Sequence, residues 1–284
     1  MLRTPITPEI YSLIERMFVD TADNNYIIAR SAFLSYRFID FYWMTSHAIE
    51  KYLKAILLYH DESVKDENHK IISLYERVLS IDGRICIEPF IDPCISEISW
   101  SSISVIKFLE KLEVFGNANN RYNDSGYHVS GEDLLKSDWI IWSIRRFCYL
   151  PYLIVMTKSG KKKIDWINEI IQNHRVLSNY SNRPIEKLMR KGSSDILFDG
   201  FRRSNRPFFP SESINPFDLV ISSSTWPTFA TILADMESCV ENEKIEEFYS
   251  KKNTLIFFMK KTKTRSNAIT ERIRRMEKNL EGNS

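Results

Sequence analysis

The stretch from residue 40 to 59 constrains this chain most. Along it Ala48, Tyr52 and Ala55 recur at helical spacing beside Ile49, Leu53 and Ile56, the signature of an α-helix with a buried face. Glu50 precedes Lys54 by four residues, the favourable order for an ion pair along a helix. The same reading predicts further helices. One runs over 8–19, opened by Pro8 after Thr7, because proline suits the first helical position. Another covers about 21–38, with Thr21 or Asp23 as its cap and Ile28, Ala32 and Ser35 on one face. A short helix follows at 71–79. Residues 102–115 form the next, with Ile106, Leu109 and Leu112 aligned and Gly116 ending it. A long apolar helix is expected from 132 to about 157, and others over 164–174, 184–190, 229–249 and 266–281. Leu255–Met259 reads as a strand or a buried helical turn. The expected fold class is mainly α.

At 284 residues the chain has room for one large domain or two small ones. Composition shifts at SGKKK, residues 159–163, and a boundary is placed there. Residues 1–158 then form a helical bundle. Residues 159–284 form a C-terminal extension, part helical and part irregular, that contacts RNA or a partner. Within it, 192–227 carries Pro207, Pro210, Pro216 and Pro227 between serine runs and reads as irregular.

Only 8 glycines are present, and neither G-x-x-x-x-G-K nor G-x-G-x-x-G occurs, which argues against P-loop and dinucleotide folds. Cys86, Cys94, Cys148 and Cys239 form no C-x-x-C pair and read as buried free thiols. No metal and no cofactor are expected. The first residues lack an apolar signal core. The most apolar run, Trp139–Met156, holds Arg145 and Arg146, which are costly in lipid. No membrane association and a cytoplasmic location are expected.

The polar segment 117–131 holds the candidate chemistry. Arg121 is followed, after six residues, by His128, among Asn117, Asn119, Asn120, Tyr122, Asn123, Asp124, Ser125 and Tyr127. A guanidinium fork grips a phosphate and stays charged. An imidazole near its ordinary pKa moves a proton at neutral pH. Metal-free RNA cleavage needs both: a 2′-hydroxyl must lose its proton, and charge on the phosphate must be stabilised. The spacing alone is also that of two solvated loop residues.

Three segments in order resemble a known family. HAIEKYLKAILLYH, residues 47–60, resembles the second helix of HEPN domains through Glu50, Lys51, Leu53, Lys54 and Ala55. His69 to Leu74 resembles the stretch opening the next family helix. Arg121 and His128 match the family's arginine-gap-histidine turn. The resemblance covers roughly residues 20–157. It implies an N-terminal HEPN-like four-helix bundle and a metal-independent endoribonuclease, a toxin or anti-phage effector. Arg121 and His128 would be catalytic, and Asn120, Tyr122, Asn123 and Tyr127 would contact RNA. The implied partners are RNA, a second copy of the chain, and a regulatory protein. Tyr122 stands where active members often carry a small polar residue. That departure keeps open a non-catalytic module that dimerises and binds RNA, a nucleotide or a protein. A structural subunit with an incidental loop is the third reading.

Other residues admit two readings. His47 suits a packed or partly exposed histidine more than a catalyst, Glu50 a helix-surface ion pair more than a group that orients an active site, and His69 a residue that caps or opens its helix. Arg145 and Arg146 suit an RNA contact or an ion pair with Asp138 or Asp40. Ten Lys or Arg against Glu271 and Glu277 between Lys251 and Lys278 suit a phosphate backbone or a solvated helix. Arg202, Arg203 and Arg206 with four phenylalanines in 198–210 suit single-stranded RNA, although packing is favoured for the rings.

Overall fold

The computed structural model describes residues 6–65, 69–96, 98–122, 126–157, 160–173, 183–192, 195–211, 213–215, 218–219, 222–225, 230–262 and 267–282. The protein is mainly helical and falls into two compact units, Met1–Arg121 with His128–Ser223, and Tyr122–Tyr127 with Ser224–Ser284.

The first unit opens with α1 (Pro8–Ile14), capped by Thr7, whose side chain accepts from the Ile10 N–H at 3.4 Å. It continues through a π-helical turn, Glu15–Val19, directly into α2 (Asp20–Leu34). The break expected near residue 20 is absent: Thr21 turns its hydroxyl back to the Met17 carbonyl at 2.7 Å, and Asp23 is buried rather than capping. Ile28 is exposed, so the face drawn through it is not the packed one. A tight turn at Tyr36, with φ of 61°, reverses the chain into α3 (Phe38–Tyr59). Helices α2 and α3 make the main hairpin of the unit.

Helix α3 then meets α4 (Ile71–Ile81), α5 (Val105–Phe115) and α6 (Gly131–Arg145). Ser104 caps α5, accepting from the Lys107 N–H at 3.2 Å. Gly116 ends it as expected, for a packing reason: a Cβ there would run into Ser46. Helix α6 is enclosed on all sides, and every residue except Trp139 is buried. Its start is a capping box, with Ser130 and Asp133 each bonding the other's backbone N–H.

The long helix expected over 132–157 ends at Arg145. Pro151 has no N–H to continue a helix and pushes its predecessor toward extended backbone. Beyond it, β2 (Tyr152–Thr157) pairs antiparallel with β3 (Gly160–Asp165), Tyr152 opposite Asp165 and Thr157 opposite Gly160. The lysine-rich segment 159–163 thus reaches into β3. A second two-stranded sheet joins β1 (Tyr127–Ser130) and β4 (Ser222–Thr225). The chain continues with α7 (Trp166–Asn173), α8 (Pro184–Lys191) and α9 (Ile196–Arg202), and both α8 and α9 lie on α2. A helix therefore interrupts the segment expected to be irregular. Phe198, Phe201 and Phe208 are buried, as expected for packing.

The second unit contains α10 (Ala230–Glu241), α11 (Ile245–Thr262) and α12 (Asn267–Gly282). The single helix expected over 229–249 is split by a turn at Glu243, with φ of 55°. Leu255 lies inside α11, so its apolar run is helical. Leu233, Met236, Cys239, Phe248, Leu255, Ile269, Ile273 and Met276 form the core. Part of the basic surface is neutralised internally: Arg272 forks onto Glu237 at 2.7 Å, and Lys251 lies 3.3 Å from Glu247. Among the described residues no helix is long and apolar enough to cross a membrane.

Candidate functional site

Helix α5 leads through Gly116 into a 3-10 turn, Ala118–Tyr122, which carries the backbone of Arg121. Asn120 is fully buried, and its amide donates to the Phe115 carbonyl at 3.0 Å, closing the end of α5. The side chains of Arg121 and Tyr122, and all of Asn123, lie outside the described residues. The chain returns in β1, where Tyr127 is half-buried and His128 is exposed.

The backbone of His128 is held from below. Tyr42 on α3 is buried, and its hydroxyl lies 2.8 Å from the His128 carbonyl and 3.0 Å from Asp133 Oδ2. Asp133 also accepts from Lys111 Nζ at 2.6 Å and from the Ser130 N–H at 2.8 Å. One buried carboxylate thus ties α3, α5 and the start of α6 to the strand that presents His128.

Gly131, next to this knot, lies against the backbone of Leu219, where a Cβ would collide with the carbonyl. In the first two turns of α6, Glu132 and Lys136 bind the connection ahead of α5. Glu132 accepts from the Ser101 N–H and hydroxyl at 2.6 Å each and from Lys136 Nζ at 2.8 Å. Burial raises the Glu132 carboxyl, but these donors outweigh it and hold it below its ordinary value.

Further along α6, buried charges meet α2. Arg145 forks onto Asp23 with two contacts of 2.8 Å and reaches Glu186 at 2.7 Å. Arg30 pairs with Asp138, and Tyr26 donates to the same carboxylate at 2.7 Å. The expected partners of Arg145, Asp138 or Asp40, are therefore replaced. Arg145 is fully buried and spoken for by carboxylates. Arg146 lies 3.6 Å from Glu88.

A second constellation sits elsewhere on α3. Glu50 is only 6 % exposed. His69 Nδ1 lies 3.0 Å from its Oε2 and 3.1 Å from Oε1, while His47 Nδ1 lies 3.4 Å from Oε2. Lys54 Nζ takes Oε1 at 2.7 Å, the ion pair expected from spacing. Burial raises the Glu50 carboxyl, yet hydrogen bonds from His47, Lys54 and His69 hold it well below the carboxylate range. The spacing of His47, Glu50 and Lys54 was readable along α3, but His69 joins them only through the fold. His69 does not cap α4; Glu113 on α5 does, accepting from the Ile72 N–H at 2.9 Å.

Two open clefts lie among the described residues of the first unit. One, of about 350 Å³, is lined by Tyr11, Tyr149 and Trp166. The other, of about 360 Å³, is lined by Phe90, Trp100, Trp139 and Arg206. Cys86 and Cys94 are exposed, against expectation; burial of Cys148 pushes its thiol up to about 12. No family model matches the chain, and no curated protein or solved structure matches it either.

Proposed function

We propose that Arg121 and His128 form the catalytic pair of a HEPN-type, metal-independent endoribonuclease that acts as a toxin or anti-phage effector. The observation that carries the reading is the treatment of His128: its carbonyl is fixed by Tyr42 while its side chain is exposed. A general acid or base must be held where its ring can reach the proton that it moves. The helical bundle, with the segments carrying the family resemblance on α3, ahead of α4 and before α6, supports the same reading.

His128 takes the proton from a ribose 2′-hydroxyl. The freed oxygen attacks phosphorus, the bond to the 5′-oxygen breaks, and that oxygen leaves with a proton from an imidazolium. In a homodimer the second His128 supplies that proton. Arg121 carries the charge that builds on the phosphate oxygens. Tyr122, Asn123 and Tyr127 are the proposed RNA contacts, while Asn120, fully buried with its amide on the Phe115 carbonyl, is left to hold the turn rather than to touch RNA. The products are a 2′,3′-cyclic phosphate and a 5′-hydroxyl.

The test is RNA cleavage in EDTA by the parent, Arg121→Ala and His128→Ala, with folding and oligomeric state matched. Loss of cleavage in both variants supports the assignment; cleavage surviving in either overturns it. Tyr122, directly after Arg121, favours a second reading: a non-catalytic module that dimerises and binds RNA, a nucleotide or a regulatory protein. RNA bound and left intact by the parent selects it.

A further inference from the structure

We infer that His47, Glu50 and His69 form a binding site for a divalent transition-metal ion of the zinc class. His47 and Glu50 are three residues apart on α3, so they share one face of the helix. His69 comes from the end of the connection into α4, which packs on α3. The three groups come from two separate places in the chain and offer ligand atoms that all lie within 4.8 Å of one another.

The distances suit an ion. Zinc binds imidazole nitrogen and carboxylate oxygen at about 2.0–2.2 Å, so ligand atoms around a tetrahedral ion stand about 3.3–3.5 Å apart. His47 Nδ1 to Glu50 Oε2 is 3.4 Å, and His69 Nδ1 to the same oxygen is 3.0 Å. Both nitrogens therefore stand near one oxygen, Oε2, at nearly the separation that coordination requires. The nitrogen–nitrogen edge is no wider than 4.8 Å. It closes by rotation of His69, whose side chain is 81 % exposed.

The surroundings support coordination. Lys54 bonds the other carboxylate oxygen, Oε1, which His69 also approaches at 3.1 Å, and Oε2 is the oxygen that both imidazoles share. Lys54 thus has the place of an outer-shell group that orients a ligating carboxylate. Trp43 lies edge-on to His47, with centroids 4.1 Å apart, and limits its ring rotation. Two imidazoles and one carboxylate favour zinc, cobalt or nickel over magnesium or calcium, which take oxygen ligands. Three protein ligands leave a fourth position for water. A bound ion would clasp α3 to the start of α4, independently of Arg121 and His128.

Cobalt(II) and zinc(II) are the probes, titrated into EDTA-treated, dialysed full-length protein and followed by calorimetry and visible absorption. Cys86 and Cys94 are exposed and could bind either ion, so all proteins also carry Cys86→Ser and Cys94→Ser. The expected result is one equivalent bound, with the visible bands of tetrahedral cobalt. Affinity should fall at least about a hundredfold in His69→Ala, more than loss of an outer-shell partner costs. His69 is exposed, so this variant is expected to fold even where Glu50→Gln does not. No binding, or binding unchanged in both His69→Ala and His47→Ala, overturns the site. Neither result touches the ribonuclease reading, which is tested in EDTA.

Discussion

Tyr42 and His128, 86 residues apart in sequence, meet through a hydrogen bond of 2.8 Å from a buried phenol to a backbone carbonyl. The contact fixes the strand that carries the proposed proton carrier without touching its imidazole. Tyr42→Phe keeps the ring and removes the hydroxyl, leaving the carbonyl without that donor. The expected cost is about 1–3 kcal/mol of stability, read from urea denaturation. Cleavage should slow while RNA affinity holds, because the anchor sets the position of His128 and makes no phosphate contact. An equal loss in both would place Tyr42 in RNA binding instead.

Arg145 is fully buried between Asp23 and Glu186, which leaves two carboxylates dependent on one cation. Burial works against its charge, but the two carboxylates outweigh it and raise the guanidinium well above its ordinary value. Arg145→Ala should cost about 3–5 kcal/mol, since both acids stay buried without their counter-charge. Urea denaturation at neutral pH measures it. A loss under about 1 kcal/mol, the range of an exposed pair, would mean that water reaches all three groups.

What was legible in the sequence follows from how each helix is buried. Helix α3 buries a broad apolar face, so its period survived in the residue pattern, as did that of α5 with Gly116 behind it. Helix α6 is enclosed, and its charged residues are partnered inside the protein rather than displayed on a polar face. Periodicity could not show that, and the apolar run carried the reading past Pro151 into a strand. The start of α6 is marked in the sequence by the capping box Ser130–Asp133. Asp23 reads as a cap and Arg145 as an RNA contact or a partner of Asp138 or Asp40, because the partners they actually have lie on distant elements. The candidate loop was found from residue types and a family resemblance. His69 and Glu50, 19 residues apart, met only in three dimensions.

Gly131 and Gly200, both within helices, make a paired test of packing. A Cβ on Gly131 would collide with the Leu219 backbone, which cannot rotate away. Gly131→Ala should therefore cost about 1–3 kcal/mol, the range of an overpacked core. A Cβ on Gly200 meets only Ser31 Oγ at 3.7 Å and Leu34 Cδ1 at 3.9 Å, ordinary contacts. Gly200→Ala should gain up to about 1 kcal/mol from helix propensity. Thermal melts of the two variants beside the parent should move in opposite directions. A neutral Gly131→Ala would show that the 218–219 segment yields at little cost.

Glu132 predicts a pH dependence. Its carboxyl sits below the ordinary value of 4.5 because Lys136 and the two Ser101 donors outweigh burial. A carboxyl depressed by folding stabilises the folded state only while it is ionised. Its contribution is complete above about 4.5 and disappears as pH falls through the lower, folded value. Glu132→Gln should therefore be destabilised relative to the parent at pH 7, where the parent's carboxylate faces a buried lysine. The gap should narrow steadily below 4.5 as the parent itself takes up the proton. Urea denaturation of both proteins from pH 7 down to acid conditions checks the sign. A gap constant across that range would mean that the glutamine loses packing or hydrogen-bond geometry rather than charge, and that the Glu132–Lys136 attraction adds nothing to stability.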